Sequence, residues 1–226
     1  ALQADPDTVH VELQALVEAF PPHDDRPRQE SYYNAVRATF NGYLPLIGTM
    51  MAAPPALVAA QMIFLNRTCF NGLWRVSQKG KYNASLGRYK APAFPSLEAL
   101  RAIGGRLRPA IITLGDYSTA LMDAKEGDLA FLDPPYGGVR GDAGFTGYTA
   151  EGFSAGQQRW LVEVIRILHA RGVRIILTNG AFPGNWEAYE AAGLTVECLD
   201  ETRSINTDTT GRGAVPCLLA WSRHAA

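Results

Sequence analysis

Apolar residues near the start of the chain recur at helical spacing: Leu13, Leu16, Val17 and Phe20, then, beyond Pro21-Pro22, Tyr33, Val36 and Phe40. That rhythm predicts amphipathic helices separated by a proline break, because proline lacks the amide that would continue a helix. No parallel-strand pattern occurs in the first hundred residues. Between Leu73 and Tyr89 the pattern changes. Trp74-Arg75-Val76, a turn at Lys79-Gly80-Lys81 and Gly87 before Arg88-Tyr89 predict a short hairpin. From about Asp128 the order becomes that of an α/β sheet. A buried strand at Leu129-Ala130-Phe131-Leu132 runs into a polar corner at Asp133. Ser154 and Gln157 make a capping box for a helix whose inner face is Leu161, Val164, Ile165 and Leu168, ended by Gly172. Val173 to Thr178 reads as the next strand, and Trp186 to Ala192 as a helix closed by Gly193. Leu194 to Leu199 and Val215 to Trp221 read as further strands. The expected organisation is a helical domain at 1–105, with the hairpin at about 73–89, followed by an α/β domain at 106–226.

Composition adds a few exclusions. The 226 residues are 47% hydrophobic, enough for a folded core. The longest apolar stretches, such as Ala52 to Ala60 with its Pro54-Pro55 break, fall short of the roughly 18 residues a membrane-spanning helix needs, so no membrane span is expected. Cys69, Cys198 and Cys217 lie far apart, and the four histidines show no ligand spacing. A reduced, cytoplasmic protein without a metal is the expectation. The chain opens at Ala1 without a methionine or signal-peptide features, which suggests that an upstream segment has been removed.

Charge is unevenly placed. The formal net charge is −1, yet Asn66 to Arg108 holds nine basic residues against the single acid Glu98, leaving the rest of the chain at −9. A basic stripe on an acidic body suits phosphate binding, and a solvated basic face is the plainer alternative.

The candidate chemistry lies at Asp133-Pro134-Pro135-Tyr136, directly after the apolar strand. The carboxylate of Asp133 and the carbonyl of Pro134 are two hydrogen-bond acceptors for an amino group, and successive prolines fix their direction. Tyr136 offers a flat face on which a planar base can stack. In an open α/β sheet, ligands bind at the carboxyl ends of strands, which favours a functional corner over a merely rigid Pro-Pro turn.

These residues resemble the Dam-type (D12 class) DNA adenine-N6 methyltransferase family. The resemblance runs over nearly the whole chain: Phe64-Leu65-Asn66-Arg67, Phe70-Asn71-Gly72-Leu73-Trp74-Arg75, Gly80-Lys81-Tyr82-Asn83, Gly87-Arg88-Tyr89-Lys90, Asp133 to Tyr136, Phe145-Thr146 and Arg203-Ser204-Ile205. It implies a Rossmann-like methyltransferase sheet, incomplete at its N-terminal side, with a helical target-recognition domain carrying the β-hairpin. It also implies transfer of a methyl group from S-adenosylmethionine to adenine N6 of a flipped base in double-stranded DNA. By the resemblance, Asp133, Pro134, Pro135 and Tyr136 are catalytic. Asp116, Tyr117 and Asp133 lie at the donor. Phe70 is the aromatic wedge entering the duplex, Arg75 reads a guanine, and Leu73 meets a thymine methyl, which together hint at a GATC-like site. Asn71, Arg88 and Lys90 lie at the DNA, the last two as phosphate contacts. Arg203, Thr210, Arg212 and Gly213 fall in a loop before the last strand, in a structural or phosphate-facing role. A cognate restriction endonuclease is an admissible partner.

The family pattern also includes an early strand and a Phe-x-Gly-x-Gly loop for the donor, which are expected upstream of Ala1. Gly137-Gly138, with Gly141 and Gly144, reads as a mobile loop over DNA rather than a nucleotide loop. Two other functions fit parts of the pattern: a relative that binds DNA without catalysis, and a methyltransferase acting on RNA or on a protein amide.

Overall fold

The structure is a computed structural model that describes residues 1–47, 54–138, 153–202 and 214–222. The chain divides into two compact units, Ala1–Leu114 and Gly115–Ala226.

The first unit holds α1 (Pro6–Glu18), α2 (Arg26–Tyr43), α3 (Pro55–Thr68) and α4 (Leu97–Leu107), the last running through residue 105. Asp5, Asp25 and Ser96 cap α1, α2 and α4 by accepting backbone N–H groups, and prolines occupy the first turns of α1, α2 and α3. The apolar stripe read from the sequence meets in one core: Leu13, Tyr33, Val36 and Phe40 are buried with Phe64 and Leu65, while Leu16, Val17 and Phe20 pack against its margin.

The expected hairpin is a narrow, interrupted ribbon. Its ladder consists of isolated bridges, Val76 with Tyr82 and Cys69 with Leu86. Regular pairing is limited because the ribbon gives its side chains and backbone to the helices. Tyr82 is buried, its ring centroid 5.1 Å from that of Trp74, and Asn41 on α2 holds the Tyr82 backbone at both its N–H (2.8 Å) and its carbonyl (3.0 Å). The Tyr33 hydroxyl and Arg37 both donate to the Ala84 carbonyl. Burial pushes the Tyr33 phenol up to about 12, so it stays a neutral donor.

The second unit contains α5 (Tyr117–Ala120), β1 (Leu129–Leu132), α6 (Ala155–Ala170), β2 (Arg174–Gly180), α7 (Asn185–Ala191), β3 (Leu194–Thr202) and β4 (Ala214–Ser222). The four strands form one mixed sheet in the order β1-β2-β4-β3. β1 and β2 are parallel, joined through α6, and β4 runs antiparallel to both β2 and β3. The capping box of Ser154 and Gln157 opens α6 as expected. Gly172, at φ +77°, lets the chain turn from α6 into β2.

Ala130, Leu132, Ile175, Leu177, Val196, Leu218 and Ala220 bury one sheet face with Leu161, Ile165 and Leu168 of α6. The strand at 129–132 departs from the fully buried run read from the sequence. Ala130 and Leu132 face that core, whereas Leu129 and Phe131 are 54% and 64% exposed. Side chains alternate across a pleated strand, so a helical layer on one face buries every second residue. No helix of the described residues is long and apolar enough to cross a membrane.

Candidate functional site

Asp133 follows β1 directly, and strand register explains what it meets. Leu132 pairs with Leu177 across the parallel β1–β2 ladder, so the next residues, Asp133 and Thr178, come side by side. The Thr178 hydroxyl donates to Oδ1 of Asp133 at 2.6 Å. Asp133 itself is exposed, and among the described residues its carboxylate accepts that bond alone.

Tyr136 is half-buried, and its phenol oxygen lies 3.4 Å from Sγ of buried Cys217, which pairs on β4 with Gly180 at the end of β2. The same phenol interacts with Thr178. Burial first, then the Cys217 contact, pushes the phenol well above the usual tyrosine range. The ring therefore remains neutral at any physiological pH. Pro134 and Pro135 span the distance between the two anchored residues, both partly exposed. The corner thus draws on three neighbouring strands: β1 supplies Asp133, β2 supplies Thr178 and β4 supplies Cys217.

The residue after Tyr136 is held more firmly still. Gly137 is buried, its N–H donates to Oδ1 of Asn179, and its carbonyl accepts from Gln158 and from Asn185. Gly137 and the equally buried Gly138 are therefore not the opening of a loop free to move over DNA. Gly141, Gly144, Phe145, Thr146, Arg203, Ser204, Ile205, Thr210, Arg212 and Gly213 lie outside the described residues.

Asp116 caps α5, accepting from the backbone N–H of Ser118 at 2.9 Å and from its hydroxyl. The Ser118 hydroxyl and then its amide hold the Asp116 carboxyl below the ordinary carboxylate range. Tyr117 packs against the core of the second unit, and burial pushes its phenol up to about 12. Its hydroxyl is buried without a hydrogen-bond partner among the described residues. A polar atom left in that state is costly, which fits a residue whose partner arrives with a ligand.

In the first unit, Phe70 opens a short turn at the end of α3, with its amide donating to the Ser85 carbonyl at 2.8 Å. Its ring is 43% exposed rather than part of the core. Asn71 follows in the left-handed region at φ 54°, and Asn66 ties the turn by donating to Gly72 O at 2.7 Å. Leu73 is partly exposed. Arg75 stands exposed on the ribbon with two of its nitrogens occupied: Nε donates to Oδ1 of Asn83 at 2.8 Å and Nη2 to the Asn83 carbonyl at 3.2 Å. Arg88 and Lys90 are exposed on the following segment. A cleft of about 570 Å³ is lined by Phe70, Arg88, Arg26 and Arg37, among others. The basic stripe is only partly available to a ligand, since Arg101 is paired with Asp7 and Arg67 donates to the Ala93 carbonyl.

Sequence reasoning singled out Asp133 and Arg75 but not the residues that hold them. Thr178 ends the strand expected at Val173 to Thr178 and Asn179 follows it, a polar pair after an apolar run that was a legible signal. Gln158, Asn185 and Cys217 carry no local signal, because their contacts depend on register and packing, and Asn83 stands in the Gly80–Asn83 motif with nothing local to link it to Arg75.

The profile of the D12 class N6 adenine-specific DNA methyltransferases matches residues 5–208, and the chain belongs to that family. It is 38% identical over 155 residues to the DNA N-6-adenine-methyltransferase of Escherichia phage P1, covering 69% of this chain and 20% of that protein. It is 33% identical to the type II methyltransferase M1.LlaDCHI of Lactococcus lactis subsp. cremoris, covering 70% of this chain and 55% of the other. With the DNA adenine methylase of Salmonella typhi the identity is 30%, over 92% of this chain and 69% of that one. The chain thus spans about half of the Lactococcus protein and a fifth of the phage protein.

Proposed function

We propose that the chain acts on double-stranded DNA, transferring a methyl group from S-adenosylmethionine to N6 of an adenine turned out of the duplex. The observation that carries this reading is the Asp133 carboxylate, exposed at the end of β1 and oriented by Thr178, three residues before the anchored Tyr136.

Adenine N6 is a poor nucleophile because its lone pair is delocalised into the ring. Asp133 and the Pro134 carbonyl each accept one N6 hydrogen, which drives the nitrogen toward tetrahedral geometry and aims the lone pair. The Thr178 hydrogen bond removes rotational freedom from the carboxylate. Tyr136 stacks on the extruded base, its ring direction set by the hold on its phenol. S-adenosylmethionine, when bound, supplies a methyl sulfonium as electrophile. Tyr117, with its unpartnered buried hydroxyl, and Asp116 and Asp133 are the residues that would hold it. The β1-β2-β4-β3 sheet is read as part of a Rossmann-like methyltransferase sheet, within a catalytic domain at about 106–226.

The helical unit with its ribbon is read as the target-recognition domain. Exposed Phe70 is the wedge that fills the space left by the base, and Asn71 and Leu73 lie beside it at the DNA. Arg75 reads guanine in the major groove, Leu73 a thymine methyl, and Arg88 and Lys90 phosphates, in a GATC-like site. Calorimetric titration with S-adenosylmethionine, followed by methyl incorporation into duplexes with and without adenine, tests the reading. Saturable binding and adenine-dependent incorporation are expected, and incorporation independent of adenine would refute it.

A further inference from the structure

Among the described residues of the second unit three side-chain amides are fully buried, and all three end on one residue. Gln158 of α6, Asn179 of β2 and Asn185 of α7 are each 0% exposed. Gln158 Nε2 donates to the Gly137 carbonyl at 2.7 Å, and Asn185 Nδ2 donates to the same oxygen at 3.0 Å. Both lone pairs of that carbonyl are therefore used. The Gly137 N–H donates to Oδ1 of Asn179 at 3.3 Å.

The amides are themselves tied down. Asn179 Nδ2 donates to the Tyr189 hydroxyl at 2.6 Å and to Oε1 of Gln158 at 3.4 Å, and its Oδ1 also accepts from Gly180 N at 2.8 Å. Asn185 Nδ2 reaches the Gly180 carbonyl at 3.0 Å. Helix-on-sheet packing needs no amides; leucine at these positions would fill the same space without having to be satisfied. A connected buried network fixes one geometry, and here the point fixed is the peptide unit that follows Tyr136.

We propose that Gln158, Asn179 and Asn185 are positioning residues for methyl transfer, a three-amide clamp that sets the direction of the Asp133–Tyr136 corner. The peptide bond between Tyr136 and Gly137 is planar, so holding the Gly137 N–H also orients the Tyr136 carbonyl. Pro134 and Pro135 restrict the chain on the other side. The Tyr136 Cα therefore lies between two fixed segments, with its phenol held at Cys217. The clamp touches neither base nor donor and acts through the corner alone. This inference rests on the reading of Asp133–Tyr136 as the transfer site.

The test compares Gln158→Met, which keeps length and loses the donor, with Ser154→Ala, which weakens the cap of the same helix through a side chain that bonds the Gln157 backbone and none of the clamp amides. Hydrogen exchange across 131–138, single-turnover methyl transfer and KM for the duplex are measured on each. For Gln158→Met, faster exchange at Gly137 and a transfer rate lower by about 10- to 100-fold are expected, with KM for DNA unchanged. Ser154→Ala should lower the melting temperature but leave rate and Gly137 exchange alone. Gln158→Glu and Asn185→Ser give the same comparison should Gln158→Met not fold. Wild-type transfer rates in the clamp variants, or an equal loss in Ser154→Ala, would overturn the proposal. A wild-type chain that transfers no methyl group, while Gly137 exchange still responds to Gln158→Met, would overturn the reading of the site instead and reduce the clamp to a loop anchor.

Discussion

The Thr178 hydroxyl donates a 2.6 Å hydrogen bond to Oδ1 of Asp133 across adjacent parallel strands. Neither residue is brought there by local sequence. The pairing of Leu132 with Leu177 delivers both to the same level at the carboxyl end of the sheet. The hydrogen bond restrains the direction of the carboxylate.

Thr178→Val keeps the β-branched shape and removes the hydroxyl. A hydrogen bond to a charged group contributes about 1.5 kcal/mol or somewhat more. Single-turnover transfer should fall roughly tenfold, with duplex affinity unchanged. A wild-type rate would show that Asp133 needs no support from β2.

Tyr136→Phe and Tyr136→Ala separate ring from hydroxyl. The phenylalanine variant loses the contact with Cys217 but keeps a stacking face, so its rate should drop no more than about tenfold. The alanine variant removes the face and should lose about 1 to 3 kcal/mol of base stacking. Equal losses in the two variants would place the role in the hydroxyl.

Arg75 is pre-oriented by two hydrogen bonds to Asn83. Arg75→Ala should relax discrimination at one guanine position by about 1 to 3 kcal/mol. Asn83→Ala should produce a smaller effect in the same direction. Competition binding over duplexes varied one base pair at a time reads both, and a uniform affinity loss across all sequences would make Arg75 a phosphate contact.

The sequence made most elements legible because their signals are local. Leu13 and Tyr33, Val36 and Phe40 keep helical spacing and form the first core. Ser154 and Gln157 announce α6, and the strand before Asp133 is a short apolar run. Position in the sheet is not local: nothing near Val215–Trp221 says that β4 inserts antiparallel between β2 and β3. The exposed half of β1, at Leu129 and Phe131, was equally hidden, since an apolar run reads the same whether one face or both are covered. The candidate residues Asp133, Tyr136 and Arg75 carry chemical signatures, but Gln158, Asn179 and Asn185 are ordinary amides until the fold brings them to Gly137.

Acid should loosen the first unit through the bond between Asp7 on α1 and Arg101 on α4. The Arg101 hydrogen bond holds the Asp7 carboxyl below its ordinary value of 3.8. A depressed carboxyl contributes stability above the unfolded value, and that contribution is lost as pH falls through the folded one. The melting temperature of wild type should therefore approach that of Asp7→Asn as pH drops below about 3.8. Both groups are exposed, so the difference at neutral pH should be small and should shrink further in salt.

The most direct measurement is nucleoside analysis by mass spectrometry of a duplex incubated with the chain and S-adenosylmethionine, beside Asp133→Ala at matched DNA occupancy. N6-methyldeoxyadenosine is expected from the wild type and none from Asp133→Ala, with duplex affinity preserved. Methylation at any other base position, or equal product from the variant, would contradict it.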